Sequence, residues 1–117
     1  MPDSNDAFQR DKAKRNVLKL RALLKELPDF CFEFFRGIEP NTTLLTQIGY
    51  AYDLRIFFTF LIQELSDEFN LSTIHEIALD DLTRIKPVHI EMYLEYLTLY
   101  YKDDDHPGTR SEYENHN

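Results

Sequence analysis

The stretch Thr43 to Glu64 reads TLLTQIGYAYDLRIFFTFLIQE, and its apolar spacing decides the fold. Leu44, Ile48, Ala51, Leu54, Phe58, Leu61 and Leu65 recur at the steps that line one face of a helix. Leu45, Tyr52, Ile56 and Phe60 fall on the other side. A helix that is apolar on two sides must be covered from two directions, so this element, from about Thr43 to Glu68, is the central one. Pro40-Asn41-Thr42-Thr43 supplies a turn and an N-cap ahead of it. Gly49 in its middle costs roughly 1 kcal/mol against alanine, which fits either a close neighbouring backbone or simple tolerance.

Working outward, DKAKRNVLKLRALLKE (11–26) places Ala13, Val17, Leu20 and Leu24 on one stripe, with Lys12, Arg15, Lys19 and Arg21 mostly off it. This is a basic amphipathic helix, interrupted by Pro28. The aromatic segment Phe30-Cys31-Phe32-Glu33-Phe34-Phe35 follows, read as a short helix with Asp29 as N-cap and Gly37 at its end. Downstream, Leu79-Asp80-Asp81-Leu82 reads as a capped helical turn. Pro87 then opens a further helix whose buried face is expected to carry Ile90, Tyr93, Leu94, Leu97 and Tyr101, with Glu91, Glu95 and Thr98 outward. The division expected is a basic N-terminal helix over 1–26, a helical domain over 27–101 and an acidic polar tail over 102–117.

At 117 residues, the chain builds one core. Three glycines and five prolines are too few for a many-turned β-fold, so the class is all-α, a bundle of four to five helices. One cysteine excludes an internal disulfide and suggests a reducing compartment. With neither a long apolar run nor a leader-like N-terminus, a soluble, cytoplasmic protein with no membrane partner is expected. The net charge of −8 opposes generic nucleic-acid binding, but residues 1–26 hold seven basic against four acidic groups. An anionic partner must therefore meet a local patch.

Catalytic patterns are missing from the sequence: there is no phosphate-binding glycine loop, no GxSxG and no HExxH. His75, His89, His106 and His116 are not paired at helical spacing, so no metal site is expected. Asp103-Asp104-Asp105 lacks the glycine and bidentate glutamate of a calcium loop. Cys31 among phenylalanines reads as a small buried hydrophobe. No nucleophile, base and oxyanion set assembles, and no cofactor is implied.

Three segments in order carry more information: LPDFCFEFFRGIEP (27–40), the long helix with Tyr50, Asp53-Leu54-Arg55, Phe57 and Phe60-Leu61, and IALDDLTRIKPVHIEMYLEYL (77–97) with Ile90, Tyr93-Leu94 and Tyr96-Leu97. Together they resemble the N-terminal core-binding, SAM-like domain of tyrosine recombinases, the phage-integrase family. The resemblance spans about Leu27 to Tyr101. It implies a helical bundle that clamps duplex DNA at a recombination site, for DNA integration or recombination. Other recombinase protomers would be partners in the full-length protein. It also implies a separate catalytic domain absent from this chain, which is therefore not an enzyme by itself, and a further basic helix after the polar segment.

For such a domain, the N-terminal turn of the long helix offers backbone N–H groups and a positive dipole end to phosphate. Thr42, Thr43, Thr46, Gln47 and Tyr50 lie there, and Lys12, Lys14, Arg15 and Lys19 add backbone attraction. Arg55 sits near the apolar face and suits a structural ion pair equally well. The alternative function is an acidic helical protein-interaction module. If a covering helix is lacking, the Leu45, Tyr52, Ile56 and Phe60 side is expected to stay exposed and to seek a partner.

Overall fold

The computed structural model describes residues 4–102. Five α-helices follow in order: α1 (Ser4–Leu24), α2 (Cys31–Ile38), α3 (Leu44–Phe69), α4 (Leu79–Leu82) and α5 (Pro87–Lys102). Short 3-10 turns lie at Glu39–Asn41 and Ile74–Glu76, and no strand occurs among the described residues. The all-α class and the central place of the long helix are as the apolar spacing requires. The expected tail over 102–117 lies outside the described residues, except that Lys102 ends α5.

Each boundary has a local cause. Thr43 is extended (φ −76°, ψ 160°), and its hydroxyl accepts from the Thr46 N–H, which starts α3. At the other end Asn70 takes a left-handed conformation (φ 54°) and its N–H donates to the Ser66 carbonyl. The Leu71 N–H donates to that same carbonyl, and Leu71 is buried, which completes a Schellman stop with its apolar contact. Asparagine is one of the few residues besides glycine that tolerate that backbone. Both ends of α2 differ from expectation by about a residue: the first residue outside it is Phe30 rather than Asp29, and the helix passes through Gly37 to Ile38. α1 starts before Asp11, at Ser4.

The core collects Leu20, Leu23, Leu24 and Leu27, then Cys31 and Phe35, around Ile48, Ala51, Phe58, Leu61 and Leu65 of α3. At about 25 cal/mol per Å² of apolar area, burial of these side chains is the main stabilising term. The second side of α3 is also covered, as a helix apolar on two sides requires, and the exposure expected of it if a covering helix were lacking does not occur: Tyr52, Ile56 and Phe60 are 4%, 8% and 1% exposed, and only Leu45 of that side stands out at 48%. Lys19 and Arg55 close over the Tyr52 ring, and Tyr93 and Tyr96 of α5 lie against Phe60 at 5.2 and 5.3 Å between centroids. The chain covers this side with its own α1 and α5.

Two further corrections concern α1 and α5. On α1 the buried residues are Leu20, Leu23 and Leu24, whereas Ala13 is exposed and every residue from Asp6 to Arg15 faces solvent. The inward face of α5 is made by His89, Tyr93, Tyr96 and Tyr100; of the expected face Tyr93 is inward and Leu97 half-buried, Ile90 and Leu94 are exposed, and the Tyr101 side chain lies outside the described residues. Aromatic area is why the helix rolls that way: Phe57 and Phe60 offer rings to Tyr93 and Tyr96, and such pairs add about 0.5–1.5 kcal/mol each beyond burial. Apart from its chain neighbours and the local backbone of its own helix, Gly49 has no atom within 4 Å of where a Cβ would stand, so no neighbouring element requires it.

Candidate nucleic-acid interface

The start of α3 is held by the side chains that were candidates for an outside ligand. The Thr42 hydroxyl donates to the Ile38 carbonyl at 2.7 Å. Thr43, besides capping, donates its hydroxyl to Thr46 Oγ1 at 2.9 Å. Gln47 is only 6% exposed, and its amide donates to the Thr42 carbonyl at 3.4 Å. A buried side chain turned back on its own turn does not reach a groove edge, so Gln47 drops out as a surface contact. Thr43, Thr46 and Tyr50 remain exposed, and at spacings of three and four they share one face of α3. Asp53, exposed one turn further along the same face, sets a negative limit to it. Helix geometry leaves the N–H groups of Leu44 and Leu45 without intrahelical acceptors, close to the exposed threonine hydroxyls.

The basic candidates form a separate group. Lys12, Arg15 and Lys19 fall at i, i+3 and i+7 on α1, behind Phe8 at i−4, and all four are exposed. The stripe spans about 10 Å between Lys12 and Lys19 at 1.5 Å rise per residue. Lys14 is exposed too, on another flank of the helix. Lys19 Nζ lies 5.6 Å from the centre of the Tyr52 ring. Residues two apart on a helix point to opposite flanks, so Tyr52 with Lys19 and Tyr50 with Thr46 address different sides of α3. The structure therefore brings Lys12, Arg15 and Lys19 together and brings Thr43, Thr46 and Tyr50 together, but does not merge the two sets on one side.

Arg55 takes the structural role. Its guanidinium bonds the Glu26 carboxylate at 2.8 Å and lies 4.9 Å from the Tyr52 ring centre, tying the end of α1 to α3. This pair is half exposed, so it orients more than it stabilises.

Polar clasps that the spacing analysis did not single out secure the far end. His89 Nδ1 accepts from the Lys86 N–H at 2.9 Å, which fixes the proton on Nε2, and that atom faces Glu68 Oε1 at 2.9 Å. A side chain at the third helical position reaching back to the N-cap N–H is one half of a capping box, so Lys86-Pro87-Val88-His89 carried a legible signal. The Arg84 guanidinium donates to the Phe69 carbonyl at 3.0 Å and to Asp81, and lies 4.7 Å from the Phe69 ring centre. The Ala78 N–H donated to Asp81, together with Arg84 beside it, holds the Asp81 carboxyl below the usual range despite some burial.

Between α2, α3 and α4 lies an apolar groove of about 490 Å³ lined by Phe30, Cys31, Phe34, Leu54, Phe58, Leu79 and Leu82, with Glu33 as its charged member. Phe34 and Leu79 are substantially exposed there. Their outward positions on short helices are the only sequence trace of it. Burial pushes the Cys31 thiol up to about 11, in keeping with its reading as a small hydrophobe. Among the described residues no three His, Cys, Asp or Glu side chains gather as a metal site would need, and no helix is long and apolar enough to cross a membrane. His106, His116 and Asp103-Asp104-Asp105 lie outside the described residues. No family model, curated protein or solved structure matches the chain.

Proposed function

We propose that the chain is a DNA-binding module, the N-terminal core-binding part of a tyrosine-type site-specific recombinase, which engages duplex DNA while another domain performs the chemistry. The observation that carries this reading is the basic stripe Lys12, Arg15 and Lys19 on a stretch of α1 that is exposed throughout, in a chain otherwise strongly acidic. Cations held about one helical turn apart on an exposed rod neutralise successive phosphates, and the released counterions drive association. The exposed Thr46 hydroxyl, which accepts from Thr43 and so keeps its own proton to donate, adds an uncharged phosphate contact together with the free N–H groups of the α3 start, and the exposed Tyr50 ring adds an aromatic surface beside them. Because the two groups address different flanks of α3, a duplex that uses both lies across the helix start rather than along one side. The sequence order of aromatic short helix, capped long helix and Pro-initiated helix supports the recombinase assignment.

The test is fluorescence anisotropy of a labelled duplex across a salt series. The expected result is weak binding whose logarithm falls linearly with the logarithm of salt. Replacing Lys12, Arg15 and Lys19 together with alanine should flatten that slope by about 3. An unchanged slope in a folded triple variant would overturn the assignment. A second reading, an acidic helical protein-interaction module, is favoured by one observation, the apolar groove beside α2.

A further inference from the structure

We propose that the groove between α2, α3 and α4 is a docking site for the first half of α1 from a second copy of this chain, with Phe8 as its anchor. The occupant follows from charge and from what α1 leaves unused. The lining elements present carboxylates: Glu33 stands in the groove itself, Asp29 precedes Phe30, and Asp80 follows Leu79, all exposed. Asp81 is engaged by Arg84 and Ala78 and contributes less to the outward field. The matching surface is an apolar anchor on a net-basic segment, and the chain contains one: between Asp6 and Arg15 the four cations Arg10, Lys12, Lys14 and Arg15 outnumber the acids Asp6 and Asp11. Phe8 is 56% exposed and sits one and two helical turns ahead of Lys12 and Arg15 on the same stripe. Residues Asp6 to Arg15 are all exposed although helical, and a segment that short is marginal as a helix in water without a packing surface.

The groove volume, about 490 Å³, suits one aromatic side chain and the flanking helix backbone. Each contact is arm to groove, so two copies can exchange arms reciprocally or leave one arm and one groove open for a further copy. Such docking goes beyond the DNA reading and competes with it, since one stripe cannot face phosphate and Glu33 together. Association is measured without DNA, so the two readings fail separately.

Sedimentation equilibrium of the full chain at high micromolar concentration tests the proposal. Two variants change exposed positions and so leave the core intact: Phe8→Asp removes the anchor, and Leu79→Asp puts a further negative charge into the groove at the first residue of α4, where the helix dipole favours an acid. Circular dichroism checks that both remain helical. The wild-type chain should show a weight-average mass above 14.0 kDa that rises with concentration and falls with added salt. Each variant alone should have its dissociation constant raised about tenfold or more. Mixing the two in equal amounts should restore a hetero-complex, because one keeps the groove and the other keeps the arm. A monomeric wild-type chain, variants that associate like it, or a mixture that stays monomeric would each overturn the proposal.

Discussion

Gly49 lies inside α3 with open space where a Cβ would project and with ordinary helical backbone around it. Replacing it with alanine removes unfolded-state freedom without a clash, so Gly49→Ala should stabilise the chain by about 0.5–1 kcal/mol. The urea midpoint should rise at unchanged slope; a fall would mean that a side chain is not accommodated there. Asp81 permits a pH test. Its carboxyl titrates below the unfolded value because the Ala78 N–H and Arg84 favour the charged form. Its contribution is therefore complete above the unfolded pKa of about 3.9 and disappears as pH falls through the lower folded value. Asp81→Asn keeps an acceptor for Ala78 but not the charge. Its stability deficit against wild type should be present at neutral pH and shrink as pH falls well below 4. A deficit of the same size under both conditions would show that geometry, not charge, is what Asp81 supplies.

Among the elements, α5 shows where sequence reading succeeds and where it stops. Pro87 at its start, Glu91, Glu95 and Thr98 outward, and the short capped turn before it were all legible from residue type and spacing. Its roll was not. Apolar residues surround much of α5, so periodicity placed Ile90 and Leu94 on the buried face beside Tyr93 and Leu97 and did not single out Tyr96 and Tyr100. The choice was made by rings on another helix, Phe57 and Phe60. The same limit applied at the start of α3: Pro40-Asn41-Thr42-Thr43 was legible as a turn and cap, but whether Gln47 pointed out or in depended on the turn folding back above it. The packing yields a sharp contrast. Phe60→Ala should cost about 3–5 kcal/mol, since it empties a buried aromatic site, whereas Leu94→Ala should stay within about 0.5 kcal/mol. Comparable losses at both positions, read from denaturation midpoints, would show that the outer face of α5 is covered in solution.

Across the whole molecule, charge is segregated rather than merely negative. Residues 1–26 are net basic and the remainder carries the acid that brings the chain to −8. Like charges confined to one compact body repel, and this opposes the folded state at low ionic strength. Added salt shortens the screening length from about 30 Å at 0.01 M to about 8 Å at 0.15 M, which relieves that repulsion while leaving the buried apolar contacts intact. The ion pairs Arg55–Glu26 and Arg84–Asp81 are partly exposed, so screening them removes little in return. The melting temperature should therefore rise over that salt range. Duplex binding through Lys12, Arg15 and Lys19 should weaken over the same range, because it depends on counterion release. One buffer series, with melting and anisotropy read on the same samples, distinguishes the two effects. Opposite trends are expected from a basic arm on an acidic body; a melting temperature that falls together with DNA affinity would mean that attractive pairs, rather than repulsion within the body, dominate the electrostatics of the fold.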